Sequence, residues 1–200
     1  MSSKGIAMVS IREKIKKGLL FCEIWESLEE ERVRCKELVY DYNHTRPGEK
    51  ARRTELLREM LGDMGEHVLI EPPVHLAYGT NVHIGDNFYA KFNLVLIDDA
   101  DIYIGNNVKI APNVTITPTG HPIDPDLRRP GTMFSIPIRI EDNVWIGSNA
   151  VILPGVTIGE NSVIGAGSVV THDIPENVVA VGNPCRVLRK IADRDREYLL

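Results

Sequence analysis

His121 stands between Gly120 and Pro122 in Pro118-Thr119-Gly120-His121-Pro122-Ile123-Asp124-Pro125, a stiff local frame for an imidazole. A positioned imidazole is the usual general base for a hydroxyl nucleophile at neutral pH. The other histidines, His44, His67, His75, His83 and His172, are dispersed, with no helix- or strand-spaced pair, so no metal site is expected. Adjacent Asp98 and Asp99 suit a polyol, whose hydroxyls they would accept, or the capping of a turn; two ligands are too few for a hard cation. Tyr89, Lys91 and Asn93 precede them in the same stretch. Gly165-Ala166-Gly167 lacks the strand-to-helix transition of a phosphate loop. Arg186, Arg189 and Lys190 form a basic end, fit either to pair with phosphates or to solvate a helix.

A repeat positions these residues. Ile140, Ile146, Ile152, Ile158, Ile164 and Val170 follow one another at intervals of six, as do Ile104, Ile110 and Ile116, and Ile84 starts the same pattern. Three residues after these aliphatics stand Asn87, Asn107, Asn113, Asn143, Asn149, Gly155, Asn161 and Gly167. Asn and Gly enter the φ > 0 region most cheaply, as the third residue of a type II turn requires. Two residues before the later aliphatics stand Val144, Ala150, Val156, Ser162 and Ser168, on the same side of a strand. A short strand and a corner every six residues make a triangular prism of parallel strands, a parallel β-helix. The outward Trp145, Val151, Thr157, Val163 and Val169 are mostly apolar, which predicts a face covered by another subunit or a ligand.

Two breaks interrupt the count. Between Ile116 and Ile140 neither column continues, which predicts a protruding, structureless loop over 117–139 that carries His121. Between Ile84 and Ile104 the separation exceeds a multiple of six by two, which predicts a smaller excursion containing Tyr89, Lys91, Asn93, Asp98 and Asp99.

The helices come first. Ser10 and Glu13 have capping-box spacing ahead of a helical stretch with Ile11, Ile15, Leu19 and Leu20. A second helix is expected over 27–42 with Leu28, Val33, Leu38, Val39 and Tyr42 as its apolar side, and a third after Pro47 with Leu56, Leu57, Met60, Leu61 and Met64. Pro72-Pro73 marks the expected join. The organisation read from this is a helical segment over 1–66, a β-helix over 67–186 and a tail or short charged helix over 187–200. With 200 residues and a net charge of −5, the chain has room for one substantial core and is no nucleic-acid binder by charge. The N-terminus has no signal-peptide h-region and no segment spans a bilayer, so a cytoplasmic protein is expected. Cys22, Cys35 and Cys185 suggest neither a disulfide framework nor a zinc site.

The repeat, the N-terminal helices, Tyr42-Asn43-His44, Glu71-Pro72-Pro73, Ile84-Gly85-Asp86-Asn87-Phe88-Tyr89-Ala90, the His121 segment and Asn143-Val144-Trp145-Ile146-Gly147 together resemble the maltose and galactoside O-acetyltransferases over about residues 15 to 190. The resemblance implies a mainly β, left-handed parallel β-helix assembled as a homotrimer. It also implies acetyl-CoA as cosubstrate in a groove between subunits, with acetyl transfer to a sugar hydroxyl. It assigns His121 as catalytic base and Arg32, Asp99 and Met133 to the acceptor. It assigns Ser148, Ala166, Thr171, Arg186 and Arg189 to CoA, with Trp145 beside the groove. The Ser148 amide is the candidate oxyanion donor, since a turn N–H is pre-aimed.

Four positions depart from that family. Lys91 replaces an asparagine, Ala77 a serine and Glu23 an aspartate at the acceptor end, while His172 replaces a basic residue near the CoA phosphates. Lys91 would favour an acidic or phosphorylated acceptor, or pair with Asp98 or Asp99. With Tyr89 and Asn93 these positions complete the expected acceptor set. The alternatives are transfer to an antibiotic or an amino acid such as serine, a zinc lyase like the γ-class carbonic anhydrases, and a non-catalytic trimeric scaffold.

Overall fold

A computed structural model of the chain describes residues 9–22 and 28–196. Short strands follow one another around three faces. Asp63–Met64, Val82–Ile84, Ile102–Ile104, Ile138–Ile140 and Thr157–Ile158 form the first face. Leu69–Ile70, Tyr89–Ala90, Lys109–Ile110, Trp145–Ile146, Val163–Ile164 and Val178–Val181 form the second. Val74–Leu76, Leu94–Leu96, Thr115–Ile116, Val151–Ile152 and Val169–Val170 form the third. Strands on a face pair in parallel so that column members meet: Ile84 lies opposite Ile104, Ile104 opposite Ile140, and Ile140 opposite Ile158. This is the three-faced parallel β-helix that the sixfold count predicts.

The interior consists of the two inward columns. Val144, Ile146, Ala150, Ile152, Val156 and Ile158 are buried, each large aliphatic contributing about 1.5–3 kcal/mol. Ser162 and Ser168 are fully buried, and their hydroxyls donate to the Pro175 and Gly165 carbonyls at 2.7 and 2.6 Å. Corner asparagines 87, 93, 107, 113, 143, 149, 161 and 177 have φ of 57–61°. Their amides also form ladders: Asn93 Nδ2 donates to Asn113 Oδ1 at 2.9 Å, and Asn143 and Asn161 donate to Asn161 and Asn177 at 3.0 Å. At the first corner Asp142 Oδ1 accepts from the Asn106 N–H at 2.7 Å; a Cβ on the adjacent Gly105 would collide with that carboxylate.

The smaller excursion is narrower than expected. Ala90 and Leu96 continue the buried column from Ile84, so Tyr89, Lys91 and Asn93 keep the repeat. The two extra residues fall in the third corner, around Asp98 and Asp99, directly after Leu96. The preceding coil has the same insertion between Leu76 and Ile84, and Asp98 ties the two corners together. Its Oδ1 accepts from the Ala77 and Tyr78 N–H groups, both at 2.9 Å.

The large loop is not structureless. Thr119–Gly120 pairs antiparallel with Phe134–Ser135, and Asp124 caps the single turn Pro125–Arg128 by accepting from Asp126 N at 2.8 Å and Leu127 N at 3.2 Å.

Helix α1, Ile11–Lys16, begins with Ser10 Oγ accepting from Glu13 N. It ends at Gly18 (φ 63°), where Leu19 N donates to Lys14 O and Gly18 N to Ile15 O, so Leu19 and Leu20 fall outside the helix and are exposed. In α2, Glu29–Asn43, Cys35 and Tyr42 are buried while Val33 is exposed, because 35, 38, 39 and 42 share a face that 33 does not. Helix α3, Lys50–Met60, stops short of Met64, since Leu61 is already extended and Asp63–Met64 begins the first face. The prism therefore starts ahead of Pro72-Pro73, which form a corner rather than the join.

Both ends are closed. Asn43 brackets Val74, its Nδ2 donating to the carbonyl and its Oδ1 accepting from the N–H, each at 2.9 Å, while Tyr42 OH donates to Ile70 O at 2.5 Å. At the other end Arg186–Lys190 is an antiparallel strand on Val178–Val181 rather than a helix, followed by the 3-10 turn Asp193–Arg196. The unpaired edge of the last coil offers ladder bonds that outweigh helix propensity. Among the described residues no helix is long and apolar enough to cross a membrane.

Two outcomes follow for stability. Asn143→Ala forces a Cβ-bearing residue with no amide into φ 58° and should cost about 1–2 kcal/mol, whereas Asn143→Gly loses only the ladder and should cost less in thermal melts. Burial pushes the Asp98 carboxyl above its ordinary range, although backbone hydrogen bonds, those of Tyr78 and Ala77 foremost, pull it down. The folded state then keeps the Asp98 proton to higher pH than the unfolded chain, so this group lowers stability as pH rises from about 3.9 through the folded value. Asp98→Asn should therefore gain stability relative to the parent as pH rises above about 4 in urea titrations; a difference that ignores pH would contradict this.

Candidate active site

His121 rides on the hairpin that leaves the third corner after Thr115–Ile116. Its Nδ1 lies 2.8 Å from the Thr132 carbonyl, which can only accept, so Nδ1 carries the proton and Nε2 of the neutral ring keeps its lone pair. Gly120 lies beneath the Phe134 ring, whose Cζ would stand 2.8 Å from an added Cβ and would have to shift to admit one. The returning arm is fixed by Met133, which exchanges backbone bonds of 3.1 and 2.8 Å with Phe21. Phe21 packs with Ile11, Ile15 and Ala100, so helix α1 anchors the arm opposite the histidine.

The acceptor set divides. Arg32, Ala77, Asp99 and Met133 gather around the third corner, on the His121 side. Arg32 Nη2 donates to Tyr78 OH at 2.9 Å, and its guanidinium lies 5.5 Å from that ring centroid, beside Arg12 at 5.0 Å. Asp99 is buried at 5 % exposure next to the stapling Asp98, whose Oδ2 has no hydrogen-bond partner. Tyr89 and Lys91 stand instead on the second face and at the second corner, and Asn93 belongs to the corner ladder. Lys91 pairs with neither Asp98 nor Asp99. Its Nζ is 3.0 Å from Glu71 Oε1, to which Tyr89 OH also donates. Glu23 lies outside the described residues.

The CoA set is more nearly contiguous. Trp145, 54 % exposed, leads along the second face into the second corner at Gly147-Ser148. Ala166 occupies the same corner one coil on, where its N atom leaves room only for a glycine at 147. The Ser148 N–H makes no hydrogen bond among the described residues. Arg186 and Arg189 lie on the strand that edges the same face. Arg189 holds Asp195 bidentately at 2.6 and 2.7 Å, which pulls that carboxyl down to about 2. Thr171 and His172 stand at the third corner of the last coil, joined by a 2.8 Å bond from Thr171 Oγ1 to His172 Nδ1. Among the described residues no group of three or more His, Cys, Asp or Glu side chains is arranged to hold a metal.

Sequence reasoning missed the Thr132 carbonyl behind His121 and the Glu71 partner of Lys91. The second was within reach: the first coils are 20 residues long, so 71 and 91 occupy equivalent places. The same interval aligns Asp63, His83 and Tyr103 on the first face, where His83 bridges Asp63 and Asp101 at 2.6 and 3.2 Å.

Comparison with known proteins agrees with this layout. Residues 14–65 match the family model for the maltose acetyltransferase hexapeptide capping motif, and residues 137–172 that for the bacterial transferase hexapeptide with six repeats. The chain is 57 % identical to the galactoside O-acetyltransferase of Escherichia coli over 93 % of its own length and 92 % of the relative's. It is 52 % identical to a putative acetyltransferase of Saccharomyces cerevisiae over 78 % and 80 %. A solved galactoside acetyltransferase in complex with coenzyme A superposes with a TM-score of 0.92 at 54 % identity, covering 96 % of both chains. A maltose O-acetyltransferase from Clostridium difficile gives 0.90 at 45 %, covering 92 % of this chain and 99 % of that one. A capped prism with its histidine hairpin, matched at such identity over nearly the whole length, is an acetyltransferase that belongs to the maltose and galactoside O-acetyltransferase family.

Proposed function

We propose that the chain transfers acetyl from acetyl-CoA to a hydroxyl of a sugar, of the maltose, glucose or galactoside type, with His121 as general base. The observation that carries this is the bare Nε2 of His121, left as acceptor by the Nδ1 bond to Thr132. In support, a relative with a TM-score of 0.92 is solved with coenzyme A, and relatives are named for galactosides and maltose.

The reaction is direct. Nε2 takes the proton as the acceptor oxygen attacks the thioester carbonyl; a C–O bond forms and the carbonyl electron pair moves onto oxygen. The Ser148 N–H, free of other bonds, donates to that oxyanion. Collapse breaks the C–S bond, and the thiolate regains the proton from the imidazolium as free CoA. Trp145, Ala166 and Arg186 hold the CoA body along the second face and corner, with Thr171, His172 and Arg189 toward its phosphates. Arg32, Ala77, Asp99 and Met133 hold the acceptor beside His121, with Lys91 and Tyr89 contributed from the second corner.

His121 and Ser148 stand at different corners of one prism, with the third face between them. Two chains side by side bring unlike corners together, which supports a homotrimer with sites between subunits. Three free cysteines suit a cytoplasmic setting.

Acetyl-CoA supplied with maltose, glucosides and galactosides should release free CoA, read with a thiol reagent. His121→Ala should lower kcat about 10²- to 10⁴-fold and leave CoA binding in calorimetry intact. Unchanged turnover in that variant would remove His121 as base, and failure of the parent to bind CoA would favour a scaffold.

A further inference from the structure

Lys91 brings a cation to the second corner, and the coil beneath it supplies the counter-charge. Backbone bonds stack this corner in register: Glu71 N donates to Ala90 O, Lys91 N to Ile110 O, Ala111 N to Ile146 O and Gly147 N to Ile164 O. Lys91 thus lies directly over Glu71 and two coils from Gly147-Ser148, about 10 Å at the usual strand spacing. Glu71 Oε1 takes both the Lys91 ammonium at 3.0 Å and the Tyr89 hydroxyl, and Lys91 Nζ is 5.1 Å from the Tyr89 ring centroid. The hydrogen bond from Tyr89, and then Lys91, hold the Glu71 carboxyl below its usual range, so it is charged throughout the neutral region. Both side chains remain partly open, Lys91 at 42 % and Glu71 at 35 % exposure.

If the thioester carbonyl meets the Ser148 N–H and the CoA body runs past Ala166 toward Arg186, the acceptor approaches from the opposite direction along the corner. That direction leads to Lys91. Resting on the acetyl-transfer reading above, we infer that Glu71 is a specificity-determining residue. By neutralising Lys91 it holds the site to uncharged hydroxyl acceptors, and without its carboxylate the same site takes acceptors carrying phosphate. A phosphorylated sugar entering the native site meets a cation already matched and a carboxylate that repels it. A neutral polyol hydrogen-bonds to either member of the pair.

The test compares methyl galactoside with galactose 1-phosphate, which present the same ring hydroxyls, on the full-length protein. Glu71→Gln keeps the side chain's size and an oxygen for Tyr89 while removing the charge. It should raise the ratio of kcat/KM for the phosphate over the methyl galactoside about tenfold, the effect of one charge-assisted contact. Adding Lys91→Met should abolish that gain. A ratio unmoved by Glu71→Gln, in a variant that melts like the parent and still acetylates methyl galactoside, would overturn the inference. So would a gain that survives Lys91→Met. Silence of the parent on every sugar is a separate outcome that overturns the acetyl-transfer reading and this inference with it.

Discussion

One backbone constraint governs most of this molecule: at most corners a residue sits at positive φ. Asparagine or glycine meets it at nearly every turn. A sharp corner after a strand of two or three residues is what lets coils of equal length superpose. Once they superpose, each strand hydrogen-bonds to the coil above and the coil below, and the aliphatic columns close over a continuous interior. Asparagine adds more than conformational tolerance, because its amide bonds to the equivalent asparagine one coil away. The residue that permits the corner thereby also fixes its register.

Register converts sequence intervals into neighbours. An interval of 20 places Lys91 on Glu71 and Tyr103 on His83 in the early coils, and an interval of 18 places Val163 beside Trp145 later on. The two-residue insertion at the third corner recurs in consecutive coils, so the enlarged corners stack on each other. Asp98 can then accept two backbone N–H groups of the corner below and carry Asp99 beside Ala77 and Tyr78. A single insertion would have left those donors without a partner. The repeat and its irregularities are therefore one design: regular coils supply a stiff frame, and matched deviations build the surface on which chemistry depends.

This explains what could be read from the chain beforehand. The prism and its corners were legible because periods of six and two are local and recur many times. The helices were legible as elements but not in their faces: Val33 reads as apolar, yet its angular position turns it away from Cys35 and Tyr42. The terminal strand was misread because Arg186–Lys190 takes its form from the open edge of Val178–Val181, which no local pattern announces. The His121 loop was legible as a break in the count, while its hairpin pairing and the Thr132 carbonyl behind the ring depend on contacts across the loop. Lys91 was legible as a departure in charge, but its partner lay one coil away and not in the neighbouring aspartates.

The stiffness of the frame bears on how a reaction can be assembled on it. The inner coils are each hydrogen-bonded on both sides, which holds the third corner stiffly in place relative to the second. His121 on the third corner and the Ser148 N–H on the second are separated by the width of the third face. On the proposed reading that gap closes by juxtaposition, the His121 hairpin of one protomer meeting the second corner of its neighbour. The outward residues Val95, Val151 and Val169 of the intervening face are only half-buried in the single chain, and covering them would contribute hydrophobic stabilisation to that contact. A rigid scaffold then becomes an advantage, because docking two stiff surfaces fixes imidazole, thioester and acceptor together without any reorganisation at the moment of reaction.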